Sequence, residues 1–191
     1  MRELFYHLNS RDEIASVSEE WHRFALANDG ESLLESAILG RPLWDFISDI
    51  ETPQIYRLLH ARVRTIGAPV RLTFRCDAPE RRRLLQLDIS PAPAGGLTYH
   101  VRTLQEQGRQ PVPQLEPHRP RSESFVTICG WCNRVDAPPR GWLEIEEAVA
   151  ALALFSEPLP PQLTHGVCEE CREIILGALG EERVDARVRG L

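Results

Sequence analysis

Apolar and polar positions change rhythm several times along the chain, and each change marks an element. Residues 5–8 and 14–17 are short apolar-rich runs that predict two strands, the first only weakly alternating. Ser18 then stands as an N-cap, and Trp21, Phe24 and Ala25 recur at helical spacing until Asn28-Asp29-Gly30 ends the helix. Residues 32–38 predict a helical turn, followed by a compact aromatic-rich segment over 40–47 that carries Trp44 and Phe46. Pro53, suited to a first helical turn, opens a helix over 54–66 in which Ile55, Leu58, Leu59, Val63 and Ile66 keep helical spacing, and Gly67 stops it.

Past that glycine the period falls to two. Val70, Leu72 and Phe74 alternate with Arg71, Thr73 and Arg75, the signature of a strand with one buried face. Leu85, Leu87 and Ile89 repeat it, and Gly95-Gly96 turns the chain into Leu97, Tyr99 and Val101. Two strands, several helices and an antiparallel meander predict an α+β domain over residues 1–104. Residues 105–124 are polar and carry Pro111, Pro113, Pro117 and Pro120, which predicts a semi-extended linker. A second, smaller module is expected over 125–180, with helical spacing at 142–155, a stop at Pro158-Leu159-Pro160-Pro161 and a last helix beginning over 168–176. Residues 181–191 read as a frayed tail.

Composition adds limits. Of 191 residues, 42% are hydrophobic and 26% charged, enough to bury a core. The net charge of -6 works against general nucleic-acid binding, which needs clustered cations, although a local basic patch stays open. Arg75 and Arg81-Arg82-Arg83 read either as a grip for an acidic ligand or as a solvated hairpin face. The first residues lack the apolar run of a secretory signal and no run is long enough to span a bilayer, so the expected address is the cytoplasm, with no membrane partner.

The chemistry-bearing pattern is the set of cysteines. Cys129-Gly130-Trp131-Cys132 and Cys168-Glu169-Glu170-Cys171 each place two sulfurs where a tight turn aims both at one metal, and two such pairs make the closed four-thiolate set of structural zinc. Thirty-five residues separate Cys132 from Cys168, a gap that the inserted helix accounts for. Four thiolates on a divalent ion leave a charge of minus two, which Arg134, Arg172 and His165 are placed to offset. His165 reads as a hydrogen-bond donor to a sulfur, as a turn residue beside Gly166, or as a replacement ligand. An iron-sulfur cluster uses the same residues, and a dithiol redox site uses CxxC, although neither pair has a βαβ context. A c-type haem is excluded because Asn133 and Arg172, not histidines, follow the second cysteines. Cys76 stands alone.

Ile14-Ala15-Ser16-Val17-Ser18, Trp21, the 40–47 segment, the helix ending at Gly67 and the strands around Phe74-Arg75-Cys76-Asp77 and Leu87-Asp88-Ile89 resemble a PAS domain over residues 5–104. The resemblance implies a five-stranded antiparallel sheet with helices on one side, enclosing a pocket. In some relatives that pocket holds haem, flavin or a small metabolite, and in others only side chains. The pattern CxxC, Trp142, Glu144 to Glu146, Thr164-His165-Gly166-Val167 and CxxC is similar to the cysteine-rich tail of some bacterial PAS-containing signalling proteins. The photoactive flavin motif Asn-Cys-Arg-Phe-Leu-Gln is missing, so flavin photochemistry is not expected. Haem-binding relatives place an axial histidine on the long helix, where His60 stands, which otherwise reads as a partly exposed helical residue. Trp44 and Phe46 read as pocket lining or as core.

Too few residues follow the second module for an output domain, and no nucleophile elbow, phosphate loop or metalloprotease motif occurs. The expectation is a non-enzymatic signalling module that works through a homodimer or a separate protein partner. The rivals are a thiol redox sensor or CxxC oxidoreductase, and a zinc-ribbon transcriptional regulator.

Overall fold

The alternating runs pair edge to edge because each has one apolar face to bury. In the computed structural model, which describes residues 3–28, 30–47, 49–116, 119–153, 159–181 and 184–188, the first half forms β1 (Leu4–Leu8), β2 (Ile14–Val17), α1 (Glu19–Leu26), α2 (Glu35–Ile38), α3 (Glu51–Ile66), β3 (Val70–Arg75), β4 (Arg81–Pro91) and β5 (Leu97–Gly108). Ser18 caps α1 by accepting from the Trp21 amide at 3.4 Å, and Gly67 ends α3 in the left-handed region at φ 73°, where a side chain would be strained. Register places Leu72 opposite Leu87 and Leu87 opposite Val101, so the apolar rows of three strands fall on one face. Ile55, Leu59 and Val63 of α3 are buried in the same core.

The second half supplies β6 (Phe125–Cys129), β7 (Val135–Asp136), β8 (Trp142–Leu143), α4 (Ile145–Ala151), β9 (Gln162–Gly166), α5 (Glu169–Ala178) and β10 (Val184–Arg187). The molecule is thus a mixed α+β fold with five α-helices and two sheets among the described residues, one of order β10-β3-β4-β5-β1-β2 and one of order β8-β7-β6-β9. The first five strands pair antiparallel throughout. The sixth departs from expectation: residues 184–187, read as part of a frayed tail, pair parallel with β3. Val184 and Ala186 bury against the core while Asp185 and Arg187 face out, an alternation too short to register in sequence.

Two further differences concern the middle of the chain. β5 continues to Gly108, through residues read as the start of a linker, and Arg109 and Val112 hydrogen-bond back to the carbonyls of Glu80 and Pro79. The helix expected over 142–155 starts at Ile145, because Trp142 and Leu143 pair with β7 first; its expected end at 154–155 lies outside the described residues.

Ion pairs stitch the β3–β4 hairpin to the start of α4. Arg75 reaches Glu144 at 2.7 Å and also holds Asp77, Arg109 contacts Asp77 and Glu146, and Arg82 reaches Glu146 at 2.6 Å. The Arg75 and Asp77 side chains are both 1% exposed, so neither charge has water to replace its partner. Arg75 and Arg82 therefore serve as an internal tie, whereas Arg81, exposed and paired with Glu106, keeps to the solvated face that a basic hairpin suggests. No helix among the described residues is long and apolar enough to cross a membrane.

Candidate metal centre

A parallel strand pair brings the two cysteine turns together. β6 and β9 run in register from Phe125 opposite Gln162 to Cys129 opposite Gly166, so each CxxC turn leaves the sheet at the same end. The Gly130 amide then donates to the Gly166 carbonyl at 2.9 Å and locks the turns side by side. The first turn closes when the Asn133 amide donates to Cys129 O at 2.9 Å, with Asn133 at φ 57°, a conformation asparagine tolerates well. In the second, Cys168 is the N-cap of α5, and its sulfur accepts from the Cys171 amide at 3.4 Å.

All four sulfurs lie within 4.8 Å of one another and all four residues are buried. Cys132 Sγ and Cys168 Sγ are 3.8 Å apart, far beyond a disulfide bond. A four-coordinate ion bound about 2.3 Å from each thiolate spaces its sulfurs about 3.8 Å apart. The cluster can therefore hold a metal ion.

Positive and partly positive groups surround the sulfurs. Arg134 Nε donates to Cys132 Sγ at 3.3 Å and Nη2 to Cys168 Sγ at 3.5 Å, while Nη2 also pairs with Glu170 at 2.6 Å. The Cys168 amide donates to Cys129 Sγ at 3.4 Å, and the N-terminus of α5 adds its dipole. The thiols also act on one another. Hydrogen bonding, first from Cys129 and then from Cys168, Cys171 and Arg134, pulls Cys132 far below the ordinary thiol range. Cys171 is pushed far above it, first by Cys129, and Cys168 likewise. Such a cluster releases its first protons readily and its last ones only when a cation takes their place.

Of the basic residues expected near the sulfurs, Arg134 is in contact. Arg172 turns instead to Glu51 on α3, and His165 is exposed on β9, opposite Ile128. The neighbour that sequence reasoning passed over is Trp131. It is 1% exposed, stacks on Tyr56 of α3 at 5.3 Å, and its carbonyl accepts from the Arg75 amide at 2.7 Å. A tryptophan inside a CxxC turn has to bury its ring somewhere, and here that place is the core of the first half.

A chamber of about 440 Å³ opens beside this turn, between α1, α3 and the apolar face of the large sheet. Of the residues considered as pocket lining, Phe46 lines it, beneath the guanidinium of Arg41. Trp44 and His60 are not among its lining residues. Trp44 packs against His60 at 5.3 Å and under Arg57. His60, expected as a partly exposed helical residue or a haem ligand, is 1% exposed and has both ring nitrogens engaged, Nδ1 with Asp12 at 2.8 Å and Nε2 with the Tyr99 hydroxyl. Neither nitrogen is left for a haem iron. Burial lowers the His60 pKa, only partly offset by Asp12.

No protein-family model matches the chain, and no curated protein matches it.

Proposed function

We propose that the chain is a non-enzymatic, cytoplasmic signalling module in which a PAS-like sensory half is braced by one structural zinc ion on Cys129, Cys132, Cys168 and Cys171. The observation that carries the reading is the convergence of four buried sulfurs within 4.8 Å, donated by two turns that β6 and β9 hold in register. Four thiolates and no open position are the donor set of structural zinc, which lends folding energy and leaves no site for substrate. The sulfurs crowd around a single point, which favours one ion over a cluster whose separate irons each claim a cysteine.

Five antiparallel strands, helices against one face and an apolar chamber between them support the PAS-like reading; β10 is an addition to it. The signal then passes by protein contact, through a homodimer or a separate partner of the PAS-like half. Thiol redox chemistry is disfavoured because the four sulfurs are buried together, with Arg134 and backbone amides already donating to them.

Elemental analysis and an absorbance spectrum of the purified chain test this. One zinc per chain and no visible bands are expected. Stoichiometric iron with visible absorption, or a metal-free chain with disulfides, would overturn the zinc assignment.

A further inference from the structure

The chamber and the metal centre share a wall. Gly130, inside the first CxxC turn, and His165, on the strand leading to the second, line the chamber together with Tyr6, Phe46, Tyr56 and Phe74 from the first half. Around that wall the contacts are direct. A side-chain carbon at Gly130 would lie 3.7 Å from Thr52 Oγ1, Tyr56 stacks on Trp131, and the residue after Phe74 donates its amide to the Trp131 carbonyl. The turn that supplies Gly130 and Trp131 is itself shaped by two of the metal's ligands, Cys129 and Cys132.

We propose that the chamber binds a small, neutral, ring-bearing apolar molecule and that its occupancy is thermodynamically coupled to the metal, each tightening the other. This rests on the zinc reading above. Six aromatic residues, Tyr6, Trp21, Phe24, Phe46, Tyr56 and Phe74, are among the lining, and among the described residues no lysine or arginine is, which disfavours an anion. Among the described residues one carboxylate lines the chamber, Asp49, and it already accepts the Thr52 amide at 2.7 Å. Thr52 Oγ1 is buried with no hydrogen-bond partner among the described residues, so it can take one polar atom of a ligand.

Coupling follows from the shared wall. When the metal leaves, only hydrogen bonds and packing hold the CxxC turn, and Gly130, which lines the chamber, and Trp131, which stacks on the lining residue Tyr56, are held less firmly. A ligand that contacts this wall then binds the metal-loaded chain more tightly. By linkage, it raises the metal's affinity by the same factor.

The test uses the full-length zinc-loaded chain and the neutral fluorophore N-phenyl-1-naphthylamine. A saturable, single-site rise in fluorescence is expected. With the probe saturating, a competing chelator should need a free concentration about five- to 150-fold higher to withdraw half the zinc. Leu43→Trp and Leu33→Trp, which add bulk to two lining positions, should remove probe binding and the chelator shift together. No saturable binding to the loaded chain overturns the chamber as a site of this chemistry. Saturable binding with an unmoved chelator curve overturns the coupling and leaves the zinc reading standing. A shift that persists in both variants after probe binding is lost overturns the route through the chamber.

Discussion

Around the six-stranded sheet, apolar residues from every strand and from α3 meet in one core, whereas the four-stranded sheet closes over eight buried residues from Val112 to Val149 among the described residues. The four cysteines, Trp131 and Ile175 pack with the larger core, although the cysteine turns spring from the smaller sheet. The difference shows how a region with a small core of its own is tied to a larger one. It contributes its cysteine turns to a neighbour's core, where four gathered sulfurs can hold a metal ion that would add to burial.

Removing the proposed zinc is the strongest way to break this comparison. Structural zinc sites of this kind contribute about 10–16 kcal/mol of binding free energy, which chelation forfeits. In hydrogen exchange, amides of β6, β9 and α5 should then lose protection while those of β4 and β5 keep it. Equal loss in both sheets would show that the large core does not stand alone.

Next in size is the ionic tie between the halves. Asp77→Ala leaves the buried guanidinium of Arg75 short of a partner, and of order 3–5 kcal/mol of unfolding free energy in urea should be lost. A loss within 1 kcal/mol would mean that water or Glu144 compensates.

Arg134→Met sharpens the role of charge beside the sulfurs. It keeps the aliphatic stem and removes both donors to sulfur, so metal affinity in chelator competition should fall about tenfold or more, with the fold retained. Arg172→Met, whose partner is Glu51, should leave affinity nearly unchanged.

The smallest effect belongs to the large core alone. The His60 pKa is lowered in the folded state by burial, so the unfolded chain binds a proton more readily than the folded one as pH falls below about 6.5. Stability from neutral His60 is full above that pH and is lost through the window beneath it, by at most about 1.4 kcal/mol per pH unit. His60→Gln should flatten the difference between urea midpoints at pH 7.5 and 5.5 relative to the unsubstituted chain. An identical difference in both would remove His60 as the titrating group.

Much of the large sheet was legible from short-range rules. Alternation at Val70, Leu72 and Phe74, the cap at Ser18 and the stop at Gly67 each depend on a few adjacent residues, and each is where local sterics and hydrogen bonding placed it. The cysteines were legible because a two-residue spacing is itself a turn that aims two sulfurs one way. Contacts between distant residues left no such trace. Asp12, whose carboxylate meets both His60 and Arg64, sits in a turn 48 residues from that histidine and looked like ordinary loop polarity. β10 was missed because a four-residue strand gains its stability from β3, more than a hundred residues earlier.

The sequence by itself therefore determined the periods, the caps and the two cysteine pairs, since these follow from how neighbouring residues fill space and orient donors. Only the tertiary structure decided that β6 and β9 run parallel, that Trp131 inserts beside Tyr56, and that Gly130 of the first cysteine turn walls an apolar chamber. Those features depend on which buried surfaces meet across long stretches of chain, and that choice is made by packing the whole core at once.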